Sequence, residues 1–357
     1  MGNNTNPDQI SIFDFTQNRG TFKRKRLCLA HVFDDIVSIE NLLVSWQEFL
    51  RGKRKRKDVA KFSLYFMDHI IQLHQELFNK TYKHGSYFAF KISDPKPRDI
   101  HKASIRDRIV HHAVYRILYP YFDKKFIFDS YSCRKKKGVH RAINRFREFG
   151  RKVSHNNTKT TWVLKGDIKK FFASIDHNVL EGILEEYIMD SDVVLLLNKI
   201  IDSFNPGLPL GNLTSQLLVN IYMNEFDQFV KHKLKVEYYI RYADDFVILH
   251  EYKLYLQQII PKLSEFLESK LKLSLHPKKV FIKTLASGVD FLGWINFSHY
   301  RIPRTSTKRR MLKKLQKNNS EETLNSYLGL LSHGNTYKLT QKINRGRFAT
   351  KLKSQRI

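Results

Sequence analysis

The stretch Tyr242-Ala243-Asp244-Asp245 constrains this chain more than any other part of it. It separates two short runs, Tyr238-Tyr239-Ile240 and Phe246-Val247-Ile248-Leu249, that are rich in aromatic and β-branched residues. Such runs read as two strands joined by a tight turn, with Asp244 and Asp245 at its tip. Adjacent carboxylates repel, and Arg241 is the only basic residue close by in sequence. A divalent cation relieves that repulsion, and Mg²⁺ binds through one or two carboxylates plus substrate phosphates. The plain alternative is a polar hairpin turn, where Asp is common.

A third carboxylate lies upstream. The segment Thr161-Trp162-Val163-Leu164-Lys165-Gly166 runs extended into Asp167, then breaks at Ile168 to Phe172 into an aromatic turn or short helix. Asp167 therefore ends a strand, where a rigid sheet can hold it. Together with the hairpin pair it could grip two metal ions, the arrangement that activates an attacking hydroxyl and stabilises a leaving oxygen in phosphoryl transfer. Next comes Gly207-Leu208-Pro209-Leu210-Gly211-Asn212-Leu213-Thr214-Ser215-Gln216. It is a backbone-exposed loop feeding a helix whose Leu218, Ile221, Tyr222, Phe226, Phe229 and Val230 recur at helical spacing. A loop at a helix N-terminus can approach a phosphate closely.

In this order the three segments resemble reverse transcriptases of the bacterial, retron and group II intron type, over roughly residues 40 to 300. The resemblance extends to Ser104-Ile105-Arg106-Asp107-Arg108-Ile109-Val110-His111-His112, to Asp129-Ser130-Tyr131-Ser132-Cys133-Arg134-Lys135-Lys136-Lys137-Gly138, and to Phe291-Leu292-Gly293-Trp294. It implies an α+β right-hand polymerase with fingers, palm and a short helical thumb. It also implies two Mg²⁺ ions (or Mn²⁺ in their place) held by Asp167, Asp244 and Asp245, and a primer grip at Phe291 to Trp294. The substrates would be a template RNA, the growing RNA–DNA hybrid and dNTPs. Arg98 and Arg134 match the fingers residues that hold the triphosphate, with Lys96 a weaker match. Phe172 matches the bulky side chain that excludes a ribose 2′-hydroxyl. Lys279, with Lys278 as alternative, matches the lysine proposed to protonate the leaving pyrophosphate. Leu210, Gly211 and Gln216 fall in the substrate loop.

That loop departs from the commonest family pattern. Leu210 stands where Gln usually precedes the second glycine, and Gln216 stands where Pro usually closes the motif. This variant resembles the reverse transcriptases of diversity-generating retroelements, which copy RNA with adenine-directed errors, and whose setting allows a small accessory protein as partner. Antiphage-defence reverse transcriptases acting on a noncoding RNA share these features. A catalytically silent RNA-binding protein on a polymerase fold is the rival from another class, but it would have no need of three carboxylates in a cleft meant for phosphates.

Charge supports a polyanionic partner independently. The chain carries 63 Lys+Arg against 34 Asp+Glu, a formal net charge of +29, and each phosphate neutralised releases condensed counterions. The cations cluster at Lys23 to Arg26, Arg51 to Lys57, Arg134 to Lys137 and Lys308 to Lys317. Two cysteines, Cys28 and Cys133, offer neither a disulfide framework nor metal-ligand spacing, which fits a reducing cytoplasm. The N-terminus is polar, and no stretch is apolar and long enough to span a bilayer.

The organisation expected is a polar arm over 1–35, N-terminal helices and fingers over 36–160, palm over 161–298 and a basic helical thumb over 299–357. Tyr87 to Ile100 reads as a hairpin turning at Asp94-Pro95-Lys96-Pro97. After Tyr300, Met311, Leu312, Leu315, Leu324, Tyr327, Leu328 and Leu331 recur at helical intervals among Lys and Arg. His111, His112 and His177 are expected to serve as structural hydrogen-bonding groups.

Overall fold

The computed structural model describes residues 29–93, 97–318 and 320–344. The polar arm up to residue 28, the Lys23–Arg26 run, Cys28, Lys96 and the last residues of the thumb lie outside them. Helices α1 (Phe33–Val37), α2 (Ile39–Leu50), α3 (Lys57–Leu64) and α4 (Phe66–Phe78) lead into the antiparallel hairpin β1 (Phe88–Ile92) and β2 (Arg98–Lys102). Helices α5 (Ile105–Asp123) and α6 (Val139–Val153) follow. The central part runs β3 (Trp162–Asp167), α7 (His177–Tyr187), α8 (Ser191–Ile201), α9 (Leu213–Gln228), β4 (Tyr239–Tyr242), β5 (Asp245–His250), α10 (Lys253–Leu271) and β6 (Phe281–Thr284). A three-stranded sheet, β7 (Val289–Phe291), β8 (Trp294–Asn296) and β9 (Arg301–Pro303), precedes α11 (Thr305–Lys317) and α12 (Glu321–Leu331).

Local chemistry sets the helix starts. Ser38, Ser104, Asp176, Asp190 and Ser320 each accept a hydrogen bond from a backbone N–H in the first turn of the helix that follows. That satisfies donors the helix itself cannot pair. The basic run at 51–57 separates α2 from α3, as its lack of apolar spacing predicts.

The palm is the antiparallel sheet β4-β5-β3-β6. Its strands are covered on both faces. Leu164, Tyr239, Phe246 and Ile248 join the large core with α7 to α10, whereas Val163, Ile240, Val247 and Leu249 pack with Ala142, Ile143, Phe146 and Phe149 of α6. Strand periodicity then places Asp167 and Asp245 on the α6 side, because they share parity with Val163 and Val247.

Two packed units extend across the expected boundaries. Helix α6, expected in the fingers segment 36–160, forms one layer of the palm. A palm ending at residue 298 would cut β8 from its partner β9, where Ile295 pairs with Ile302. Helices α11 and α12 follow that sheet. There Met311, Leu324, Leu331 and Ile343 close a small core of their own, with Leu312, Leu315, Tyr327 and Leu328 packed around it. No helix among the described residues is long and apolar enough to cross a membrane.

Candidate active site

The three carboxylates meet at one end of the palm sheet. Asp167, the last residue of β3, lies opposite Asp245, the first of β5. Asp245 also pairs with Tyr242, so the β4–β5 turn has only two residues, Ala243 and Asp244. Ala243 takes the positive φ of 55° that this turn requires. Only Asp244 thus occupies the tip, while Asp245 belongs to the ladder. The Ile168 N–H donates to the Asp244 carbonyl at 3.2 Å, tying the hairpin to the end of β3.

Two lysines face the cluster. Lys279 Nζ donates to Asp167 Oδ1 at 2.7 Å. A turn brings it there: the His276 N–H donates to the Asp167 carbonyl at 2.7 Å, and the Lys279 N–H to the His276 carbonyl at 3.0 Å. Lys165 Nζ sits 3.4 Å from Asp245 Oδ1, an ion-pair distance without a hydrogen bond. That buried oxygen has no hydrogen-bond partner among the described residues. Burial, then the Asp245 and Asp167 charges, push the Asp244 carboxyl up to about 6. Burial also raises Asp245, against the opposing pull of Lys165.

Arg241 does not neutralise these acids. It is fully buried and makes a two-pronged ion pair with Asp227 of α9, Nε to Oδ1 at 2.8 Å and Nη2 to Oδ2 at 2.7 Å. Its remaining donors reach Asn220 Oδ1, Ser130 Oγ and the Ala243 carbonyl. Arg241 therefore braces the hairpin from beneath.

The glycine loop abuts both Phe172 and the fingers hairpin. The Leu208 N–H donates to the Phe172 carbonyl at 2.8 Å. A Cβ on Gly207, which has φ +69°, would lie 2.1 Å from that carbonyl, so only glycine fits. His177 Nε2 contacts the Gly207 carbonyl at 2.8 Å, the structural role expected of it. Phe172 is half-buried and packs edge-on against Phe171, leaving part of its ring free beside the loop. The His101 N–H of β2 donates to the Leu210 carbonyl at 3.0 Å, and Asn212 Nδ2 donates to the His101 carbonyl at 3.2 Å. Leu210 is half-buried and Gly211 exposed at this junction, with Gln216 half-buried in the first turn of α9. Arg98 opens β2 as an exposed cation three residues from His101.

Arg134 is a correction. Its guanidinium donates to Asp123 Oδ1 and to the carbonyls of Asp123, Ile127 and Ser130, at 2.7 to 3.1 Å. Its side chain is 6% exposed. It fastens the loop after α5 and has no free fork for a triphosphate.

The reverse transcriptase (RNA-dependent DNA polymerase) family matches residues 90–296, more than half of the chain. The chain belongs to this family. Protein YkfC of Escherichia coli is 28% identical over 243 residues, 56% of this chain and 63% of that protein. The group II intron-encoded protein LtrA of Lactococcus lactis is 26% identical over 309 residues, 66% of this chain and 50% of that protein. The chain thus spans half to under two thirds of the length of these relatives. The structure of apo telomerase from Candida tropicalis superposes with a TM-score of 0.50 at 12% identity, covering 64% of this chain and 50% of that one. That likeness supports the α+β right-hand polymerase fold.

The donor set fits the divalent cation that the family uses. It consists of hard carboxylate oxygens, one of them buried and without a hydrogen-bond partner among the described residues, and burial, then repulsion between the acids, raises Asp244 and Asp245. Among the described residues no three His, Cys, Asp or Glu groups form a ready-made cage. Mg²⁺ suits such an open site, because it completes its shell with water and substrate phosphates.

Sequence reasoning missed Lys165 and Asp227. Lys165 was detectable, since two residues before Asp167 on a strand means the same face. Asp227 left no such signal, because the polar Asn224, Glu225 and Gln228 lie beside it in sequence.

Proposed function

We propose that this protein is an RNA-directed DNA polymerase that adds dNTPs to a primer 3′-hydroxyl on an RNA template. The observation that carries the reading is the registered pair Asp167–Asp245, with Asp244 at the adjoining turn and the buried Asp245 Oδ1 lacking a hydrogen-bond partner among the described residues. Asp167, Asp244 and Asp245 would hold Mg²⁺, which supplies the positive charge that favours both the attacking and the leaving oxygen. The chain's own groups do the positioning. Phe172, carried on the turn after Asp167, fills the space where a ribose 2′-hydroxyl would sit. Arg98 offers a planar fork to the triphosphate. Lys279, on the side of Asp167, presents an ammonium proton to the pyrophosphate as it leaves. The test is Asp244→Asn, which removes charge but little volume. It leaves the melting temperature and RNA binding near the parent values and abolishes extension of oligo(dT) on poly(rA). Absence of extension by the parent as well would favour a silent RNA binder.

Within that activity we infer error-prone copying of the diversity-generating type, in which a small accessory protein joins the polymerase. The apolar Leu210 beside the nucleotide loop supports it, because a lost polar contact weakens selection of base-pair geometry. Leu210→Gln restores such a contact, and one hydrogen bond of about 0.5–1.5 kcal/mol lowers error frequency several-fold. Sequencing cDNA copied from a four-base template decides. Errors concentrated at template adenines in the parent, and reduced in the variant, are expected; uniformly low errors in the parent sink this reading. A defence role is favoured instead if the protein copies one bound noncoding RNA.

A further inference from the structure

The polymerase residues leave a strongly charged surface unused on the outer face of α6. The inner face of this helix is committed to the palm through Ala142, Ile143, Phe146 and Phe149. The outer face and the flanking loops wall a concave groove of about 860 Å³. Arg141, Arg145, Arg147, Arg151 and Lys152 line it against a single carboxylate, Glu148. None of the expected catalytic or substrate residues lines it.

The acids here are already satisfied. Arg145 pairs with Asp129 at 2.9 Å and with Glu148 at 2.8 Å, and Lys152 reaches Glu148 at 3.2 Å. Arg141, Arg147 and Arg151 are exposed, and their guanidinium groups make no ion pair or hydrogen bond among the described residues. Phe128 stands in the same groove, 68% exposed, with Lys137 Nζ 3.6 Å and the Arg145 guanidinium 5.5 Å from its ring centre. A merely solvated basic helix face needs neither concavity nor a bare aromatic ring held among cations.

We propose that this groove docks single-stranded RNA outside the polymerase cleft, with arginine forks on successive phosphates and Phe128 as a platform for an unpaired base. Arginine binds phosphate bidentately, and base–aromatic stacking tolerates any sequence. The assignment of the partner as RNA rests on the reading of the chain as an RNA-templated polymerase. The groove accounts for part of the +29 formal charge.

Fluorescence anisotropy on the full chain tests it, using an RNA–DNA duplex that is blunt, carries a single-stranded RNA overhang, or carries a DNA overhang. The variant Arg141→Gln/Arg147→Gln/Arg151→Gln should lose affinity for the overhang duplexes and keep it for the blunt one. Three single-strand phosphate contacts change the log–log salt slope by about 2, or about 100-fold in Kd per tenfold drop in salt. Phe128→Ala should weaken the same complexes about tenfold without changing the slope, as loss of one stacked base does. Extension of a primer–template whose primer 3′ end is only minimally recessed should stay at the parent rate in both variants. Unchanged affinity for the RNA overhang overturns the proposal. So does an equal loss on the blunt duplex, or displacement of the RNA from the groove by polyglutamate of equal charge. If the parent extends no primer yet the overhang effect is present, the polymerase reading fails and the groove stands.

Discussion

Arg241→Met should destabilise the protein by about 3–5 kcal/mol, because it strands a charge rather than merely deleting a bond. Arg241 and Asp227 are both 0% exposed. With the guanidinium gone, Asp227 keeps one donor, the Tyr239 hydroxyl at 2.7 Å. A buried carboxylate in that position must take up a proton or unfold its surroundings. Replacing both partners, Arg241→Met with Asp227→Leu, removes the stranded charge and should recover most of the loss, since apolar side chains of similar volume often replace a buried ion pair at little cost. Activity should not recover. The Ala243 carbonyl would still lack its 3.2 Å donor from Arg241, and the turn that carries Asp244 would lose its brace. Urea unfolding followed by the fluorescence of Trp46, Trp162 and Trp294 measures the first effect, and primer extension the second. A single variant that loses less than about 1 kcal/mol, the scale of an ordinary hydrogen bond, would refute this account of the pair. So would a double variant no more stable than the single one.

Two further outcomes follow from the site. Phe172→Ala should raise ribonucleotide incorporation relative to deoxynucleotide incorporation in single-nucleotide kinetics, and an unchanged ratio would make Phe172 a packing residue only. His111 is buried against Thr214 and His84, and burial, then His84, holds its pKa down to about 3 from 6.5. The unfolded chain therefore binds a proton below pH 6.5 that the native state refuses. Stability should fall as pH drops from 6.5 towards 3, by about 2 kcal/mol at pH 5 from this group alone. His111→Gln should flatten that part of the urea-midpoint profile, and an identical slope in the variant would show that His111 does not govern it.

What the sequence determined by itself is what depends on neighbours along the chain. The two-residue turn between β4 and β5, the strand ending at Asp167, the β1–β2 hairpin and the helix after Gly211 all rest on local turn chemistry and side-chain period. Each lies within two or three residues of its expected place. The carboxylates were legible for the same reason, because a doublet of acids between apolar strands has little to do in a core. Charge balance was not legible. Arg134 reads as a free phosphate ligand until Asp123 and three carbonyls from the preceding loop take its donors. Arg241 reads as the counter-charge of Asp244 and Asp245 until Asp227 claims it from a different helix. The cations that do face the site are Lys279, 112 residues from Asp167, and Lys165, on a strand that meets Asp245 only through sheet pairing. The packing of α6 on the sheet and the pairing of β9 with β8 are likewise set by contacts distant in sequence. Backbone conformation is governed largely by steric and hydrogen-bonding terms that act over a few residues. Ionic partnership depends on distance in space, and only the packed chain sets that distance.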